Sequence, residues 1–183
     1  MTEINSEVVN ALLESFYDVL DRDGKRSILA FANLEHDLMD KKLPPGTFPY
    51  SEFLKIIRSM KQLMAFSSSV MRELGKKFAI YLNPYGTDFH GFIEMLNTYF
   101  GHSHFILQIE DYPELGRKNF KVKLENCPFL EYDGYIDGMC DFFEGMFSEG
   151  IRKSMGGTVN IERNRCEMPG QNQCEFNIIW SRV

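Results

Sequence analysis

The sequence predicts an α+β fold in which N-terminal helices pack on a four-stranded antiparallel sheet and the C-terminal half runs β-β-α-β-β. Three observations predict it. Apolar residues recur at helical spacing as far as Phe100. From Phe105 the period drops to two, the pattern of a half-buried strand. From Tyr132 to Trp180 the chain reads as a helix, a strand, a tight hairpin and a strand, with Cys140, Cys166 and Cys174 on that unit.

The helical half opens on Ser6, a good N-cap, followed by Val8, Val9, Leu12, Leu13, Phe16 and Leu20. Asp21-Arg22-Asp23-Gly24 stops this helix, and a second starts near Lys25 and carries Ile28, Leu29, Phe31, Ala32 and Leu34 towards Leu38. Leu43-Pro44-Pro45-Gly46-Thr47-Phe48-Pro49 reads as a loop, because proline fixes φ and removes a backbone donor. Ser51 caps a helix bearing Phe53, Leu54, Ile56, Ile57, Met60, Leu63 and Met64, which Ser67-Ser68-Ser69 interrupts. The next runs from Val70 to Leu82 and ends at Asn83-Pro84-Tyr85-Gly86. Asp88 opens a helix over Phe89 to Phe100, with Gly101 at its C-cap.

In the sheet half, Phe105, Leu107 and Ile109 alternate with Ile106, Gln108 and Glu110. A turn at Pro113-Glu114-Leu115-Gly116 leads to Phe120, Val122 and Leu124, which alternate with Lys121, Lys123 and Glu125. A helix starts near Asp133, with Ile136, Met139, Cys140, Phe143, Met146, Phe147 and Ile151 on one face. Gly134, Gly138 and Gly145 form a second stripe. Each glycine weakens a helix by roughly 1 kcal/mol, so the stripe predicts a close backbone approach to a sheet or a partner helix. Gly156-Gly157 ends the helix; Thr158, Val159 and Ile161 begin a third strand, and Phe176, Ile178 and Trp180 mark the fourth.

Composition narrows the function. The 183 residues are 44% hydrophobic and 25% charged with a net charge of −6, which argues for one folded domain and against nucleic-acid binding. No apolar run reaches the length of a membrane span and the N-terminus lacks a signal-peptide pattern, so a cytoplasmic location is expected. Thiols stay reduced there, which turns the cysteines towards metal, catalysis or plain core rather than disulfides. The 16 Phe and 10 Met suit either a pocket for an apolar ligand or an aromatic core. Dinucleotide fingerprint, P-loop, H-E-x-x-H and nucleophile-elbow contexts are missing, so no enzyme is expected.

The element order, with the hairpin Cys166-Glu167-Met168-Pro169-Gly170-Gln171-Asn172-Gln173-Cys174, resembles the 4-vinyl reductase (4VR) domain. That domain belongs to a superfamily shared with haem nitric-oxide sensors and vesicle-tethering (TRAPP) subunits. The resemblance covers most of the chain and is strongest from Asp133 to Trp180. It implies a single ligand-binding domain over residues 1–183, with residues 1–24 as a dimerisation helix. In the aromatic-sensing regulators of this family, three cysteines and an acid bind a structural zinc. The cysteines carry over to Cys140, Cys166 and Cys174, but Arg163 stands where the acid should be. Zinc therefore stays a candidate beside a reading in which the cysteines are buried core.

The same resemblance implies an apolar cavity between helices and sheet, with a histidine to orient the ligand. His90 carries that role over, next to Phe89 and Phe92, beside a reading as an exposed or capping histidine near a helix start; Phe105, Leu107, Phe120, Val122 and Leu124 would line the cavity or simply form core. His102 and His104 raise haem, but the Tyr-x-Ser-x-Arg motif that holds its propionates in the related sensors is missing, so haem is not expected. The expected function is a sensor for a hydrophobic or aromatic small molecule, signalling through a homodimer to a separate effector protein or domain. The alternative is an assembly scaffold, or a carrier of tetrapyrrole or lipid.

Overall fold

The computed structural model describes residues 3–63, 67–101, 105–112, 116–125, 139–164 and 173–182. Along the chain these form β1 (Glu3–Asn5), α1 (Ser6–Phe31), α2 (Glu35–Leu38), β2 (Thr47–Pro49), α3 (Tyr50–Leu63) and α4 (Ser68–Leu82). There follow α5 (Phe89–Phe100), β3 (Phe105–Tyr112), β4 (Arg117–Glu125), α6 (Met139–Met155), β5 (Thr158–Asn164) and β6 (Gln173–Ser181).

The expected break at Asp21 is a kink inside α1. Asp21 sits at φ +62°, and its carboxylate accepts the amides of Asp23 at 2.8 Å and Gly24 at 3.0 Å, so it caps the second half of the helix. The N-cap is Asn5, whose side chain accepts from the Glu7 amide at 2.8 Å. Ser6, the expected cap, lies one residue inside and donates its hydroxyl to the Pro44 carbonyl at 2.8 Å. A two-stranded sheet that the apolar pattern does not announce joins β1 to β2, with Ile4 opposite Phe48. Strands of three residues are too short to show a period, and the prolines around Phe48 argue for loop. The 43–49 stretch is tied down as well: Asn10 donates to the Leu43 carbonyl at 3.0 Å and accepts the Leu43 amide at 2.9 Å.

The main sheet is antiparallel throughout, in the order β3-β4-β6-β5. Its register puts Ile109, Phe120, Ile178 and Ile161 in one row and Leu107, Val122, Phe176 and Arg163 in the next. These rows face α6. The α+β architecture, with helices on a four-stranded antiparallel sheet, is as the sequence predicts.

Helix α6 is the centre of the molecule. One face packs on the sheet through Phe143 and Phe147, and another packs on α4 through Phe142, whose ring centroid lies 5.3 Å from that of Phe78. The close approach announced by its glycines is to a helix. A Cβ at Gly145 would collide with the Arg72 carbonyl oxygen, and one at Gly75 with that of Phe142. Backbone therefore meets backbone where α4 crosses α6. Gly134 and Gly138, and the expected helix start near Asp133, lie outside the described residues. No helix among the described residues is long and apolar enough to cross a membrane.

Candidate functional site

The interior between α5, α6 and the sheet is built from phenylalanines. From α5, Phe89 meets Phe120 of β4 at 5.1 Å between centroids and Phe147 of α6 at 6.4 Å, both edge to face. From the sheet, Phe105 meets Phe143 at 6.0 Å and Phe147 at 6.1 Å, while Phe176 lies 5.2 Å from Phe147. Edge-to-face pairs of this kind suit the ring quadrupole and each adds about 1 kcal/mol beyond burial. The faces of these rings favour a flat apolar ligand over a charged one, because an aromatic ring does not replace the hydration of a charge.

Of the sequence-predicted ligand residues, Phe89, Phe105 and Phe120 meet in this ring cluster. Phe92 is fully buried beside Phe89, with its ring over Gly150. Val122 is buried and Leu107 half-buried in the same sheet row. His90 is exposed. It follows Phe89 directly, and the rotation per residue of a helix that turns Phe89 inward turns its neighbour away. His90 is thus corrected from a pocket residue to a surface one, and His36 is exposed too.

Periodicity alone does not find Asn97. Its side chain donates to the Phe105 carbonyl at 2.9 Å and accepts the Phe105 amide at 2.9 Å, closing the base of the connection from α5 to β3. Gly101, left-handed at φ +77°, ends α5 just before it. The connection contains His102 and His104, which lie outside the described residues. Replacing Asn97 by Ala leaves two main-chain groups of Phe105 without this partner, an expected loss of roughly 2 kcal/mol in urea unfolding. A loss no larger than that of an exposed control substitution would rule the clamp out.

On the flank of α6, where α4 and β5 meet it, four charges are interleaved. Asp141 is 3% exposed; its Oδ1 lies 2.9 Å from Arg72 and 3.3 Å from Arg163. Glu144 lies 2.8 Å from Arg72 and 3.5 Å from Arg163. The hydrogen bond to Glu144 holds the Arg72 guanidinium above its ordinary value, against the opposing effect of burial.

No family model matches the sequence, and no curated protein matches it. Solved structures do. A haem protein whose redox potential is modulated through porphyrin distortion is 13% identical, with TM-score 0.64, over 97% of this chain and 99% of its own. A doubly substituted Tt H-NOX is 13% identical, with TM-score 0.66, over 98% of this chain and 95% of its own. An oxygen-binding H-NOX domain related to soluble guanylate cyclases is 12% identical, with TM-score 0.59, over 95% and 92%. The chain has the H-NOX fold. At these identities the likeness is one of fold, and it runs over nine-tenths or more of both partners. None of these structures is a 4VR domain.

Both cofactor expectations are corrected. Among the described residues no group of three or more His, Cys, Asp or Glu is arranged to hold a metal ion. Cys174 is disulfide-bonded, and a sulfur so engaged is no thiolate ligand. This also corrects the expectation of reduced thiols. Cys140 is buried and takes no part in a disulfide, and Cys166 lies outside the described residues. Arg163, at the expected acidic position, brings a positive charge that repels a cation. The exclusion of haem is overturned as well, since solved structures sharing this fold include haem proteins.

Proposed function

We propose that this protein is a small-molecule-binding sensor domain, with a planar apolar ligand held between α5, α6 and the sheet, and haem as the ligand class. The observation that carries the reading is the match to H-NOX structures over nearly the full chain, combined with a ring-lined interior at the centre of that fold. Aromatic side chains on these walls would stack on the faces of a porphyrin. His36 and His90 are exposed; if haem binds, His102 or His104, in the segment between α5 and β3, would hold its iron. A bound haem iron would supply a site for a diatomic gas, such as the oxygen held by the oxygen-binding H-NOX relative. The chain's own contribution is to exclude water from that site and fix the ligand's orientation with rings locked by packing.

In this reading the chain is one non-enzymatic domain. It signals as a homodimer, in which residues 1–24 take part, to a separate effector. Protein purified after haem-supplemented expression is expected to show a Soret band, which His102→Ala or His104→Ala removes while the fold persists by circular dichroism. A wild-type protein without that band, and without any retained small molecule in native mass spectrometry, would sink the proposal. The result would instead favour an assembly scaffold, a reading supported by how fully Phe105, Phe143, Phe147 and Phe176 fill the interior on their own.

A further inference from the structure

The charged cluster on the flank of α6 joins two parts of the molecule that are held together differently. Helices α4 and α6 form one unit. They touch backbone to backbone at Gly75 and Gly145, and Arg72 of α4 pairs with both acids of α6. The sheet is the other part, and it meets α6 mainly through rings: Phe143 and Phe147 against Phe105 and Phe176. The dispersion part of these ring contacts is not tied to one partner, so a flat aromatic ligand slipped between the layers can replace most of it. Among the described residues, Arg163 crosses this boundary with contacts of another kind. Arg163 lies in the inner row of the sheet, in register with Phe176, Val122 and Leu107, a row otherwise apolar. Its guanidinium reaches Asp141 at 3.3 Å and Glu144 at 3.5 Å, on side chains that are 5% and 13% exposed. An apolar ligand cannot replace it.

From this we infer that Arg163 is a latch that sets how readily the α4–α6 unit parts from the sheet, and so couples ligand occupancy to the edge strand β5. The inference rests on the reading that the ligand lies between α6 and the sheet. A planar molecule there is about 3.5 Å thick, the van der Waals spacing of carbon layers. Admitting it stretches or breaks the two Arg163 pairs, while the Arg72 pairs travel with the helices and stay closed. The acids are therefore never left without a cation when the latch opens, which keeps the opening inexpensive compared with stripping a buried charge of all its partners. β5 lies at the edge of the sheet, beside β6, and carries Arg163 near its end. Releasing Arg163 frees that edge to change its position or exchange behaviour, which makes β5 the place where occupancy is reported.

The test uses Nile red, a neutral dye that brightens in apolar surroundings, with wild-type protein, Arg163→Gln and Arg163→Lys. Arg163→Gln keeps Arg72 on both acids and is expected to bind the dye roughly fivefold more tightly, the scale of a partly exposed ion pair. Arg163→Lys, which keeps the charge, should fall near wild type. Raising salt should tighten binding to wild type and leave Arg163→Gln unchanged, because only the former has the latch to screen. Hydrogen exchange should speed up in β5 and on the sheet-facing side of α6 in Arg163→Gln. Equal dye affinities in wild type and Arg163→Gln, with equal salt responses, would overturn the latch. If the dye binds neither protein, the ligand site itself fails; unchanged exchange in β5 and α6 then overturns the latch separately. Should Arg163→Gln not fold, Glu144→Gln weakens the same contact while Asp141 keeps both arginines, and the same outcomes apply.

Discussion

Gly145→Ala is expected to lower the melting temperature by roughly 10 °C, the fall expected from a loss of about 3 kcal/mol in a domain of this size. The sign alone is informative. In an exposed helix the same change stabilises by up to about 1 kcal/mol, because alanine is the better helix former. Here the added Cβ collides with the Arg72 carbonyl oxygen, a backbone atom held by its own helix, and no side chain can rotate aside. Nor can α6 shift freely, since its opposite face is wedged against Phe105 and Phe176. Gly75→Ala makes the reciprocal collision with the Phe142 carbonyl. The two changes act on one crossing, so the double variant should lose less than the sum of the singles. Thermal unfolding of the three variants decides it; a neutral or stabilised Gly145→Ala would mean that the helices do not touch as described.

The second large effect is expected at Phe147, which is 0% exposed. Its ring stands within 6.4 Å of Phe89, 6.1 Å of Phe105 and of Phe143, and 5.2 Å of Phe176, so it links α5, α6 and the sheet. Phe147→Ala should cost about 4 kcal/mol, the lost transfer energy plus that of the cavity left behind. The cavity would be apolar and enclosed by rings, and should take up benzene or a similar small aromatic. Urea unfolding with and without benzene separates the two contributions: a large loss, partly restored by the ligand. A loss below about 1 kcal/mol would show that the interior is loosely filled, and a large loss without rescue would show that the surrounding rings collapse into the space.

Much of the fold is legible in the sequence because it rests on periods that local chemistry enforces. The change from helical spacing before Phe100 to alternation at Phe105 marks the border between helices and sheet, and the structure turns there, at Gly101. Asp88 caps α5 through the Gly91 amide at 2.7 Å, and Asp21 breaks α1, both by side-chain oxygens reaching nearby amides. The β1–β2 pair escapes such reading because three residues carry no period and the pairing joins segments more than forty positions apart.

The candidate site divides along the same line. Phe89, Phe105 and Phe120 can be chosen from sequence because large apolar residues on the inner face of an amphipathic element must pack on something. His90 cannot be assigned by spacing to cysteines; its exposure follows from its angle on α5 relative to Phe89. Arg163 is the clearest case. In the sequence it is the residue that spoils a metal site, since alternation shows only that it shares a face with Ile161. In the fold that face looks onto Asp141 and Glu144, and the arginine becomes part of an ionic cluster with Arg72.

By itself the sequence determined the α+β architecture, the antiparallel pairing of the C-terminal strands and the need for a close approach at Gly145. Each follows from interactions within a few residues, or from the burial every apolar face requires. Only the tertiary structure decided that Gly145 meets Gly75 on α4, that the interior is a layer of phenylalanine rings, and that Arg163 faces two acids. Those facts depend on contacts between residues from about twenty to about seventy positions apart along the chain, and no local pattern encodes them.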